Sequence, residues 1–115
     1  MKIIKVEENY LEFDNGRYIE CDHYQDCCEW NYADFEQLDD LARNYDFNPD
    51  LNFEIVEGAG FRFGDSRRMF FVPCYSIQNG YYTAELDIRY YGINIFGERV
   101  LITEEHLDSC EENFD

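Results

Sequence analysis

The densest run of groups able to do chemistry is Asp22-His23-Tyr24-Gln25-Asp26-Cys27-Cys28-Glu29, an imidazole, two thiols and three carboxylates within eight residues. One use of such a set is metal binding. The His23 nitrogen with the Cys27 and Cys28 thiolates, supplemented by Asp26 or Glu29, is a donor combination that suits zinc. Tetrahedral zinc sites usually draw on two separated ligand clusters, and a histidine four residues ahead of adjacent cysteines is not a recognised half-site. The distant Cys74, His106 or Cys110 would have to close the set. A second use is a Cys–His nucleophile pair, with Asp22 or Asp26 orienting the imidazole. The six acids of residues 20–36 work against it, because they raise a thiol pKa that a nucleophile needs lowered. The third reading is structural. Cys27 and Cys28 would pack as small apolar residues, with His23 bonded to backbone at a turn.

Other candidates are weaker. The five cysteines are an odd count in a chain whose start, MKIIKVEENY, shows no apolar leader segment, so free thiols in a reducing cytoplasm are expected. Gly58, Gly60 and Gly64 lack both the Walker lysine and the dinucleotide-binding spacing, and read as turn and bulge residues. Arg62, Arg67 and Arg68 could hold an anionic substrate, but also suit the neutralisation of acidic neighbours.

Charge narrows the partners. Nine basic residues against 26 acidic ones give a net charge of −17 in 115 residues. Nucleic acids and anionic membranes, which are bound through a basic footprint, are therefore not expected as direct ligands. Residues 1–57 hold sixteen acids and four bases, residues 58–103 four acids and five bases, and residues 104–115 six acids and no base. The acidity thus belongs to the first half and to a C-terminal tail. With ten Tyr, ten Phe and one Trp the chain can still bury a core.

The elements that must position these groups read mostly as strand. YLEF (10–13) and RYIEC (17–21) alternate in burial pattern around Asp14-Asn15-Gly16, a strong hairpin signal. Phe35, Leu38, Leu41, Ala42 and Tyr45 recur at helical spacing, with Asp34 as N-cap and Gln37 three residues on, so a helix of about ten residues is expected within 30–45. Strands follow at 53–57, around Phe61 and Phe63, at 69–75 with Pro73 at an edge or bulge, at 81–91, and at 93–96 with 99–103. Asn79-Gly80 is expected to turn 69–77 back onto 81–91. The expected fold is α+β: a single antiparallel sheet of six or seven strands and one main helix after the first hairpin. One domain spans 1–103, followed by an acidic tail at 104–115.

The string Asp22-His23-Tyr24-Gln25-Asp26-Cys27-Cys28-Glu29 with Tyr32-Ala33-Asp34 resembles the signature of an uncharacterised domain family of bacteriophages and gut bacteria. Ile55-Val56-Glu57-Gly58-Ala59-Gly60-Phe61, Phe71-Val72-Pro73-Cys74-Tyr75 and Asn79-Gly80-Tyr81-Tyr82 are similar to it as well. The resemblance covers roughly residues 1–103. It implies a phage or mobile-element context and assigns no catalytic role.

Together these features point to an acidic module that binds a basic protein, in the strongest form by imitating nucleic acid. Duplex DNA about as long as a domain of this size carries on the order of 20 phosphates, comparable to the excess of 17 carboxylates here. The expected contact face is Asp26, Glu29, Glu36, Asp39, Asp40, Asp46 and Asp50. The alternative is a zinc or thiol enzyme built on His23, Cys27 and Cys28; no other cofactor is implied.

Overall fold

A computed structural model describes residues 1–23, 29–78, 80 and 83–114. Ten strands are present among them: β1 (Ile3–Glu7), β2 (Tyr10–Phe13), β3 (Tyr18–Asp22), β4 (Trp30–Ala33), β5 (Asn52–Val56), β6 (Gly60–Gly64), β7 (Met69–Gln78), β8 (Leu86–Ile93), β9 (Arg99–Leu107) and β10 (Glu111–Phe114). They form two five-stranded sheets. The first runs β1-β2-β3-β8-β9; the second runs β10-β7-β6-β5, with β4 also paired to β7. All pairings are antiparallel except that of β10 with β7.

The molecule is therefore nearly all sheet, and the expected α+β fold with a single sheet and a main helix is incorrect. Between β4 and β5 the chain makes only a 3-10 turn (Phe35–Gln37) and a four-residue helix, α1 (Asp40–Arg43). The cause lies in two competing caps. Asp34 accepts the Glu36 N–H and Asp39 accepts the Ala42 N–H, so two short N-termini form in place of one long helix. Leu38 between them is extended, at φ −63° and ψ 131°. The apolar spacing that reads as a helical stripe instead lets Phe35, Leu38, Ala42 and Phe47 close one end of the core, while Leu41 stays exposed.

The first hairpin forms as its sequence demands. Gly16 takes φ +88° and donates to the Phe13 carbonyl, while the Phe13 N–H reaches the Arg17 carbonyl, giving a three-residue loop. The expected turn of 69–77 onto 81–91 does not form: β7 and β8 lie in different sheets, and β8 pairs with β3 and β9. Of residues 104–115, expected as a tail, 104–107 form the end of β9 and 111–114 the strand β10. One core joins the sheets. Leu11, Phe13, Ile19, Cys21, Leu86, Ile88 and Tyr90 face Phe61, Phe63, Phe70, Val72 and Cys74 from the other side. The second sheet meets the first at Asn9, whose N–H donates to the Ala33 carbonyl and whose side chain accepts the Ala33 N–H. Among the described residues no helix is long and apolar enough to cross a membrane.

Candidate functional site: an acidic and aromatic face

Strand β4 carries the site because its side chains alternate. Asn31 and Ala33 are fully buried, so Trp30, Tyr32 and, one step on, Asp34 project from the outer face. Register with β7 sets Ile77 opposite Trp30 and Tyr75 opposite Tyr32. The rings form a tilted row, with Trp30 and Tyr32 centroids 5.0 Å apart and Tyr32 and Tyr75 5.6 Å apart. Gln37 clamps the row to its acidic end, its amide donating to Asp34 Oδ2 at 2.9 Å and to the Tyr75 hydroxyl at 3.0 Å. Beside it lies a hollow of about 220 Å³ lined by Gln37, Leu38, Asp39, Phe70 and Phe71. Trp30 and Phe71 are 45% and 42% exposed, a large apolar investment on a solvent face.

Carboxylates border this row. Glu8 bridges to Asp34 across the joint between the sheets. Its pKa is raised by burial and then by the charges of Asp34 and Glu36. The Tyr32 phenol is raised by burial, with Asp34 and Glu8 adding to it. Among the described residues, Glu8, Asp34, Glu36, Asp39 and Asp40 make no ion pair with Lys or Arg. Several cations pair with other acids: Lys5 with Glu7, Arg67 with Asp65, Arg99 with Glu20, Arg89 with Asp22, Asp87 and Glu104, and Arg62, which lies opposite Phe71, with Glu54. Arg43 turns its guanidinium onto the carbonyls of Leu38 and Glu36.

Behind the face the interior is polar. Ser76 Oγ lies 2.5 Å from Asn31 Oδ1 and accepts the Gln78 amide at 2.6 Å. The Asn31 amide donates to the carbonyls of Thr83 and Glu85 at 3.0 and 2.9 Å, which ties the segment entering β8 to β4.

The residues singled out from sequence fall in different places. Glu36, Asp39 and Asp40 are exposed on the turn and α1, next to the aromatic row. Glu29 is buried, its side chain 3% exposed, with Oε1 3.1 Å from His23 Nε2. Asp46 lies elsewhere, paired with the amino terminus at 2.8 Å and held below the usual carboxylate range first by that hydrogen bond. Asp50 is exposed beyond Pro49, whose carbonyl accepts from Tyr90 and Arg17. Asp26, Cys27 and Cys28 lie outside the described residues. Cys21, Cys74 and Cys110 are free and buried, and burial drives each thiol upward, Cys110 to about 12.

Trp30, Tyr32 and Tyr75 were not among the residues picked from sequence. Their signal is the alternation W-x-Y-x-D over 30–34, which the helical reading of 30–45 overrides. No protein-family model matches this chain, and no curated protein or solved structure does so either.

Proposed function

We propose that this chain is a cytoplasmic binding module for a basic protein, and that the partner docks on Trp30, Tyr32, Tyr75 and Phe71 with Asp34, Glu36 and Asp39. The observation that carries the reading is the coincidence of the uncompensated carboxylates with the exposed aromatic row. Aromatic faces attract Lys and Arg through the ring quadrupole, and adjacent carboxylates steer and pair them. In its stronger form the partner is a nucleic-acid-binding protein whose phosphate-reading cations meet these carboxylates, acting in the phage or mobile-element context that the Asp22–Asp34 signature implies.

The test uses a fluorescent oligolysine peptide and anisotropy, at low salt and at about 0.15 M. Tyr32→Ala and Trp30→Ala, which leave the charge alone, should each weaken binding about tenfold, and Asp34→Asn with Glu36→Gln should also flatten the salt dependence. Asp14→Asn with Glu57→Gln removes the same charge elsewhere and should change little. Equal effects from both acidic pairs, with no effect of the aromatic changes, would reduce the interaction to net charge and refute the face.

A further inference from the structure

A second cluster sits on the outer face of the first sheet, at the start of β8 and the end of β9. Glu85 and Asp87 are two residues apart, as are His106 and Asp108, and the strand register places Asp87 directly opposite His106. Alternation therefore sends all four side chains to one side. His106 Nδ1 lies 2.7 Å from Asp87 Oδ1. His106 Nε2 lies 3.5 Å from Glu85 Oε1 and 3.2 Å from Asp108 Oδ1.

We propose that Glu85, His106 through Nε2, and Asp108 form a binding site for a divalent transition-metal ion of the zinc class, with Asp87 as positioning residue. The spacing fits. Zinc bonds of about 2.0–2.2 Å at a tetrahedral angle set neighbouring ligand atoms about 3.3–3.5 Å apart, and the two Nε2-to-oxygen separations are 3.2 and 3.5 Å. One ligand atom from each of the three residues lies within 4.8 Å of the others.

The arrangement also has a reason to bind a cation. Asp87 holds the Nδ1 side of the ring and so leaves Nε2 turned toward two carboxylates, the arrangement by which a second carboxylate orients a metal-bound histidine. A metal ion entering between them takes the place of the Nε2 proton that otherwise bonds to these oxygens. The nearby guanidinium is committed: Arg89 binds Asp22 and Glu104 at 2.6 Å each and reaches Asp87 at 3.5 Å. One nitrogen and two carboxylate oxygens suit zinc or cobalt. Three protein ligands leave a fourth position for water or for a donor from a partner. The backbone of Glu85 is held from inside by the Asn31 amide, so this ligand does not depend on its own loop for placement.

The full chain, stripped with chelator, would be titrated with Zn²⁺ by calorimetry and with Co²⁺ by visible absorption, with the ring resonances of His106 and His23 followed by NMR. One equivalent should bind, with Co²⁺ giving the intense absorption of tetrahedral coordination and with the His106 ring moving on metal addition. His106→Ala, or Glu85→Gln with Asp108→Asn, should lower affinity at least about 100-fold, and Asp87→Asn about 10- to 100-fold at unchanged stoichiometry. Cys27→Ser with Cys28→Ser should leave it unchanged. His106, Glu85, Asp87 and Asp108 are surface positions, and circular dichroism checks that each variant folds. The proposal is overturned if the chain takes up no ion, if the carboxylate variants bind as tightly as the parent, or if the serine pair abolishes uptake.

Discussion

The turn after β6 hangs on one carboxylate, and its removal has a calculable cost. Asp65 is buried, its side chain 3% exposed, and it accepts five hydrogen bonds. Oδ1 takes the Tyr45 hydroxyl at 2.9 Å and the N–H groups of Arg67 and Arg68 at 2.9 and 3.2 Å. Oδ2 takes the Asn48 N–H at 3.1 Å and the Arg67 guanidinium at 3.1 Å. Burial disfavours the charge, but the bonds from Asn48, Arg67 and Tyr45 outweigh it and hold the carboxyl well below its usual range. Asp65→Asn keeps the shape and replaces Oδ2 with a donor. Arg67, 65% exposed, turns to water at little cost. The Asn48 N–H loses its acceptor, about 1–3 kcal/mol, and the remaining bonds lose charge assistance, on the order of 0.5–1 kcal/mol each. Because Asn48 is exposed and its N–H can turn to water, the lower ends apply, and the variant should lose about 2–3 kcal/mol. Urea unfolding followed by circular dichroism should show this at unchanged slope, with Tm lower by on the order of 10 °C. The pH dependence follows from the depressed folded pKa. Against an unfolded value of about 3.9, the contribution of Asp65 is complete above that pH and is lost as pH falls toward the folded value. The parent should therefore lose more stability than the variant on acidification. A loss below about 1 kcal/mol, or parallel acid limbs, would refute the reasoning.

Two further outcomes are expected. A Cβ on Gly60 would lie 2.1 Å from the Val72 carbonyl oxygen, whereas one on Gly58, at φ +79°, meets nothing within 4 Å. Gly60→Ala should cost about 3–5 kcal/mol and Gly58→Ala about 1 kcal/mol by the same urea assay. Cys21, Cys74 and Cys110 should be inert to a thiol reagent at pH 8 in the native protein and react fully in denaturant, so any fast native thiol belongs to Cys27 or Cys28. Rapid native labelling of Cys110 would show that it is not sealed in the core.

What could be read from the sequence was local pairing; what could not was sheet membership. Asp14-Asn15-Gly16 dictates its hairpin because the turn and both flanking alternations are contiguous. Asn79-Gly80 carries a similar signal, yet its flanking strands find partners far away in sequence, β8 between β3 and β9 and β7 against β4, β6 and β10. No local pattern encodes that choice. The segment 30–45 misleads for a different reason: Phe35, Leu38 and Ala42 face one core from a 3-10 turn, an extended residue and a single helical turn, and their spacing imitates a helix. The candidate face was half legible. Glu36, Asp39 and Asp40 stand out by charge alone, whereas the aromatic row needs the register of β4 on β7 before Tyr32 meets Tyr75.

Asn9 meets two demands with one residue. It sits at φ +65°, which side chains other than Asn, Asp and Gly rarely adopt, and its amide oxygen takes the Ala33 N–H at 2.7 Å while its own carbonyl takes the Cys21 N–H at 2.9 Å. Glycine would supply the backbone and leave the Ala33 donor bare; aspartate would supply both but place another anion beside Glu8 and Asp34. Mutational tolerance at this one position should therefore be narrower than at almost any other surface site, as though the seam between the sheets were written in a single letter.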